Sequence, residues 1–224
     1  MLKFDLHMHS HFSFDSLSHP EKIVQQAIKT GLDGIAITDH NVFRIDWTAL
    51  QRKYPDLIII PGTEIGTEGV GDILCYFITE EIQTKDPKEV IDQVHKQGGL
   101  AVLAHPYHHG RTSDNYPDSI IKQLDAIEVA NAHNTIKNKM AAQLAVQFNK
   151  PATGGSDAHI ISEIGNGQTI LDLTKDEARN FDLLKKAIKN SMQAQCKAAP
   201  MYSFYFSQMI KYMRRFKLLK QIGT

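Results

Sequence analysis

The sequence predicts an α/β fold in which a largely parallel sheet closes into a barrel. Three observations predict it. Short apolar, β-branched runs alternate with helical patterns, which implies βαβ units. The apolar cores IAIT, LIII and LAVLA suit strands buried on both faces. Seven or so such units favour closure over an open sheet.

Taken in order, strands are expected at residues 2–6, 34–38, 57–60, 73–78, 100–104, 126–130 and 151–154, with a further one at 168–173. Helices are expected at 20–30, 46–53, 87–97, 119–124, 136–148 and 175–190. Pro20 and Pro87 suit first-turn positions, where the missing N–H is no loss. Gly31 and Gly98 supply plausible helix stops. Residues 1–200 read as one barrel domain and residues 201–224 as a basic amphipathic tail, helical in pattern. From Gln208 to Lys220 the tail holds Lys211, Arg214, Arg215, Lys217 and Lys220 and no acid. Met209, Ile210, Tyr212, Met213, Phe216 and Leu219 interleave with them. Packing on the barrel is the expected role, with contact to a nucleic-acid backbone or a partner as the alternative.

Composition narrows the function classes. Lys plus Arg equals Asp plus Glu, 25 each in 224 residues, so no global field steers the chain to nucleic acid or anionic lipid. The two cysteines, Cys75 and Cys196, lie far apart and form no disulfide framework. The first residues are too polar for a signal peptide, and no run approaches the roughly 20 apolar residues of a membrane span. A cytoplasmic protein is expected.

The unusual count is 11 histidines, and their positions matter more than their number. Most expected strands run, at their C-terminal side, into residues that bind metals. The first leads to His7 and His9, the second to Asp39 and His40, and the third to Glu64. The fifth leads to His105, the sixth to Asn131 and His133, and the seventh to Asp157 and His159. Parallel strands bring these ends to one face, which in barrels carries the active site. His7 and His9, two apart on an extended chain, face the same way and can share a metal. Asp39 is either a ligand or the residue that orients one. Glu64 suits a bridge between two cations. Asp15, in a Ser-rich loop, is a ligand to a peripheral cation or a helix cap. Gly154 and Gly155 let the backbone turn tightly before Asp157. His108 and His109 read as surface or substrate-facing, and His11, His19 and His95 as ordinary surface residues. The mixed His and carboxylate set suits Zn, Mn or Fe better than Ca or Mg.

As a set, these residues resemble a known family. Asp5-Leu6-His7-Met8-His9-Ser10 is similar to the first motif of the PHP (polymerase and histidinol phosphatase) superfamily. Thr38-Asp39-His40, the Glu64 segment, Ala104-His105-Pro106 and Ser156-Asp157-Ala158-His159 resemble its later motifs, in the right order over about residues 1–175. The resemblance implies a distorted (β/α)7 TIM-like barrel holding two or three divalent metal ions. It implies His7, His9, Glu64 and Asp157 at one metal, and Glu64 bridging to a second held by His105 and His133. Asp15, His40 and His159 would hold a third. Where some small phosphoesterases of the family carry a His, this chain has Asp72.

The expected activity is that of a metal-dependent phosphoesterase acting on a small phosphorylated metabolite or nucleotide. A hydroxide bridging two cations would be the nucleophile. Glu64, Asp157 and His159 carry the catalytic roles. His159, Asp15 and a metal-held water all stand open as the proton source for the leaving group. Arg111 and Arg44 are the candidates for pairing with a substrate phosphate. The alternatives are phosphodiester cleavage in single-stranded nucleic acid, C–N hydrolysis, and a non-catalytic, metal-stabilised regulatory module.

Overall fold

The computed structural model describes residues 1–108, 116–216 and 218. Its core is a nine-stranded sheet in the order β7-β6-β5-β4-β3-β2-β1-β8-β9. The strands are β1 (Leu2–Asp5), β2 (Gly34–Ile37), β3 (Ile58–Thr67), β4 (Gly71–Tyr76), β5 (Leu100–Leu103), β6 (Ala126–Asn131), β7 (Ala152–Gly155), β8 (Gly167–Leu171) and β9 (Gln193–Cys196). The helices are α1 (Pro20–Lys29), α2 (Trp47–Lys53), α3 (Pro87–Lys96), α4 (Asp118–Ile121), α5 (Asn138–Gln147), α6 (Lys175–Ala178), α7 (Phe181–Ile188) and α8 (Met201–Arg215). Among the described residues no helix is long and apolar enough to cross a membrane.

The sheet is a nearly closed barrel. β1 through β3 pair in parallel, as do β5 through β7. Beyond the C-terminal ends of β1 and β7, Met8 and Ala158 form a parallel bridge that joins the two edges of this set. β8 runs antiparallel to β1, and its Thr169 hydroxyl bonds both the N–H and the carbonyl of Gly154 in β7.

Strand alternation explains why these runs are apolar throughout. Ala36, Ile60, Leu74, Tyr76 and Val102 join Phe4 and Leu6 in one buried cluster formed by the barrel strands. Their neighbours face outward. Ile35, Ile37 and Ile59 pack on Ile23, Val24 and Ala27 of α1 and Leu50 of α2. Ile73, Cys75 and Leu103 pack on Val90, Ile91 and Val94 of α3. Both faces are dry, so both sequence parities are hydrophobic.

Several elements differ from the sequence expectation. β4 is antiparallel to both β3 and β5, so the sheet is mixed rather than uniformly parallel. No helix intervenes between β3 and β4; a turn through residues 68–70 links them, with Gly69 and Gly71 at positive φ. β3 runs on past Pro61 to Thr67, because the hairpin supplies pairing that the apolar run alone did not signal. The expected helix at 175–190 splits into α6 and α7, since the Asn180 side chain accepts from Asp182 N–H and Leu183 N–H and starts a new helix. The polar strand β9 was not anticipated; its QAQC sequence has no apolar face to advertise it.

α8 begins seven residues before the basic stretch that signalled it. Its inner stripe is Ser203, Ser207 and Ile210, spaced one turn apart and buried. Arg214 continues the stripe and donates to the carbonyls of Ser13, His11 and Ser16. The helix is thereby fastened to the loop that follows β1.

Candidate metal centre

The ends of β1, β2, β3, β5 and β7 meet at one rim. Past β1 the chain stays extended, with Met8 bridged to Ala158, so His7 and His9 project together. His40 lies beyond β2 and forms a bridge to Glu64, which sits within β3 itself. His105 follows β5 and Asp157 follows β7. Both take positive φ, 25° and 54°, unusual for residues other than glycine. Such strain concentrates where a side chain must be aimed.

Among the described residues, three groups of side chains bring their ligand atoms within 4.8 Å of one another: His7, His9 and Asp157; His7, Glu64 and His105; and His9, His40 and His159. His9 Nε2 lies 3.1 Å from Asp157 Oδ1. His105 Nε2 lies 2.9 Å from Glu64 Oε1, and His40 Nδ1 lies 2.7 Å from Glu64 Oε2. Asp15 Oδ2 lies 3.1 Å from His159 Nε2 and 3.3 Å from His40 Nε2. All of these residues are buried, and the side chains of Asp157 and His159, each 10% exposed, form part of the solvent edge.

The outward nitrogens of three imidazoles are fixed from behind. His7 Nδ1 faces Glu128 Oε1 at 3.1 Å, which demands a proton on Nδ1 and leaves Nε2 for the centre. The other Glu128 oxygen accepts from His105 N–H at 2.8 Å and from the Asn131 amide at 3.0 Å. His9 Nδ1 faces Ser13 Oγ at 3.2 Å, and that hydroxyl donates to Asp39 Oδ1 at 2.7 Å. His159 Nδ1 donates to the Asp157 carbonyl at 2.7 Å. Asp39 is therefore an orienter, taken up by Ser10 and Ser13.

The acids of the centre keep their charge despite burial. Burial alone would push Asp157, Glu64 and Asp15 up. Instead His7 and His9 hold Asp157, His40 and His7 hold Glu64, and His159 and His40 hold Asp15, each well below the usual carboxylate range. Burial opposes the charged imidazoles too, yet the carboxylates win: Glu64 and Asp15 bring His40 up to about 10, and Glu64 brings His105 up to about 9. His7 is likewise held well above its ordinary value by Glu128, Asp157 and Glu64. His9 goes the other way, to about 3, through burial and its neighbours His40 and His159. Even so, His7 Nε2 and Asp15 Oδ1 are buried and make no hydrogen bond. Buried polar atoms without such partners are rare, and here they lie among the clustered imidazoles and carboxylates, which fits coordination by divalent cations.

Not every candidate converges. His133 Nε2 lies 2.8 Å from Glu163 Oε1 and its ring 5.7 Å from that of His159, so it stands beside the centre but outside the three groups above. Asp72, on β4, reaches toward His105 instead, with Oδ2 at 3.8 Å from Nε2. Arg44 is exposed and lines a groove with His11, His19 and Asp46. Arg111 and His109 lie outside the described residues. His108 is half-buried with its ring 5.2 Å from that of His105. His11 is buried and stacks on His19, contrary to the surface role expected of it. Gly154 and Gly155 lie within β7 and serve close approach rather than a turn: a Cβ on Gly155 would meet His7 Cβ at 2.3 Å.

Sequence reasoning missed three contributors. Glu128 and Asp5 are acids inside otherwise apolar strands, and that was the available signal. Asp5 is pushed up to about 6 by burial and accepts from the N–H groups of Ser156 and Gly165. Lys211 of α8 places Nζ 3.2 Å from Asp15 Oδ2, a contact no local pattern could announce.

Comparison with known proteins follows the same lines. The PHP domain family model matches residues 5–147, and the PHP-associated model matches residues 135–191. Two uncharacterized proteins of Methanocaldococcus jannaschii are similar. One is 34% identical over 147 residues, covering 59% of this chain and 84% of its own length. The other is 33% identical over 174 residues, covering 74% and 68%. A solved two-domain protein from Bacteroides vulgatus, containing a predicted PHP-like metal-dependent phosphoesterase, is 25% identical with a TM-score of 0.69. The match covers 84% of this chain and 62% of that one.

Proposed function

The chain belongs to the PHP domain family, and on that premise we propose that it is a metal-dependent phosphoesterase acting on a small phosphorylated metabolite or nucleotide. The observation that carries the reading is the convergence of His7, His9, His40, Glu64, His105, Asp157 and His159 at one rim, with buried ligand atoms left without hydrogen bonds. His7, His9, Glu64 and Asp157 would hold one cation. Glu64 would join it to a second beside His105 and Asp72, while Asp15, His40 and His159 would hold a third. Asp72, with Oδ2 3.8 Å from His105 Nε2, is assigned here in place of His133, whose Nε2 faces Glu163 Oε1 at 2.8 Å. When bound, Zn, Mn or Fe lowers the pKa of a coordinated water and offsets charge on phosphoryl oxygens.

The protein's own share is positioning. Glu128, Ser13 and the Asp157 carbonyl fix ring nitrogens, so little reorganisation is needed at the reacting centre. Glu64 and Asp157 keep negative charge in a dry setting, where it would hold cations.

The test is a substrate panel with the Mn- or Zn-loaded protein: p-nitrophenyl phosphate, bis-p-nitrophenyl phosphate, histidinol phosphate, mononucleotides and short oligonucleotides. Monoester turnover that a chelator abolishes is expected. Turnover confined to the diester and oligonucleotides would transfer the reading to a nuclease, and no phosphoester turnover by fully loaded protein would end it.

A further inference from the structure

The C-terminal helix does more than pack. Arg214 fastens α8 to the loop after β1 through the carbonyls of His11, Ser13 and Ser16, all three within a few residues of Asp15. Ile210 is wholly buried beside it. Between these two anchors the next residue, Lys211, extends along the Phe14 ring, with Nζ 5.2 Å from the ring centroid. It ends 3.2 Å from Asp15 Oδ2, the same oxygen that His40 and His159 face. Lys211 is about a quarter exposed, so its ammonium stands at the boundary between the centre and solvent. A helix without a single acid thus delivers one fixed cation to the rim.

We infer that Lys211 is a substrate-binding residue that holds a non-bridging oxygen of the substrate's phosphate at the edge of the metal centre. The inference rests on the phosphoesterase reading above and adds the residue that selects for a dianionic phosphate group. The chemistry follows from shared use of one carboxylate oxygen. Asp15 Oδ2 faces His40, His159 and Lys211 together. Asp15, His40 and His159 would hold a cation there, and because both imidazoles face Oδ2 the cation would compete with Lys211 for that oxygen and leave the ammonium open to a second anion. A phosphate oxygen at the centre supplies it. Lys is suited to this as a point charge with three donors. The aromatic ring of Phe14 keeps the stem from folding back. Of the two arginines read from sequence, Arg44 is exposed in a groove with His11 and His19, and Arg111 lies outside the described residues.

The experiment uses the full chain loaded with Mn. Inorganic phosphate binding is measured by calorimetry for wild type, Lys211→Met, Lys211→Arg and Arg215→Met, with metal content by elemental analysis and folding by thermal denaturation. Lys211→Met keeps the apolar stem over Phe14. It is expected to retain wild-type metal content and folding while binding phosphate roughly 10- to 100-fold more weakly. Lys211→Arg is expected to recover most of that affinity, and Arg215→Met, altered at an exposed position, to match wild type. With p-nitrophenyl phosphate the loss should fall on KM more than kcat. Phosphate affinity unchanged in Lys211→Met overturns the inference and leaves the phosphoesterase reading standing. Loss of metal or fold in Lys211→Met also overturns it, by showing that Lys211 serves Asp15 instead. Wild type that neither binds phosphate nor turns over a phosphoester removes both.

Discussion

His7 owes its usefulness to a residue behind it. Glu128 accepts from its Nδ1 side and from the His105 backbone, so a single carboxylate aims ligand atoms from two strands. Replacing it with glutamine preserves volume but removes the charge. Glu128→Gln is expected to weaken metal binding about 10- to 100-fold, as read by competition against a chromophoric chelator. Unchanged affinity would mean that packing alone aims His7. At this scale the sequence was legible wherever a metal-type side chain stood just past an apolar run, as with His7, His9, Glu64 and Asp157. At His133 the same pattern leads to a ring whose Nε2 faces Glu163, a neighbour the local sequence does not announce. It was silent on Lys211, whose meaning depends on a contact nearly 200 positions away.

Elements place these residues by approaching one another very closely. β7 passes His7 so tightly that a Cβ on Gly155 would lie 2.3 Å from His7 Cβ and 2.8 Å from its backbone nitrogen. Neither obstacle is the end of a flexible chain. Gly155→Ala is therefore expected to destabilise the fold by about 1–3 kcal/mol and to lower metal content by displacing His7. Denaturant titration and elemental analysis check both, and wild-type values in both would show that β7 can shift without cost. Most strands and helices could be read from the sequence because periodicity and proline and glycine punctuation agree there. The reversal of β4 could not, since a strand buried on both faces looks alike whichever way it runs. The break between α6 and α7 hung on one side-chain cap at Asn180, inside an unbroken helical pattern. β9 had no apolar alternation to detect.

At the scale of the whole molecule, the barrel gathers carboxylates and imidazoles from positions 7 to 159 into a nearly dry volume. Without cations, imidazolium groups balance the carboxylates: His40 is raised to about 10, His105 to about 9, and His7 well above its ordinary value. Folded-state pKa values above the unfolded value of about 6.5 contribute stability that is full below that pH and fades as pH rises through 9 and 10. Chelator-treated protein should therefore lose Tm between pH 7 and 10, while the metal-loaded form, whose imidazoles are already neutral, should lose much less. Parallel Tm curves would show that cations and imidazolium groups do not exchange in this way. The barrel itself was foreseeable from alternating units and from strand ends sharing a chemistry; the closure through Met8 and Ala158 and the helix laid across the first loop were not. The account stands on cations being held where these strands end. Anomalous diffraction from crystals grown with manganese or zinc tests that directly. Two or three peaks within coordinating distance of His7, His9, Glu64, His105 and Asp157 are predicted, and ions found only elsewhere on the protein would contradict it.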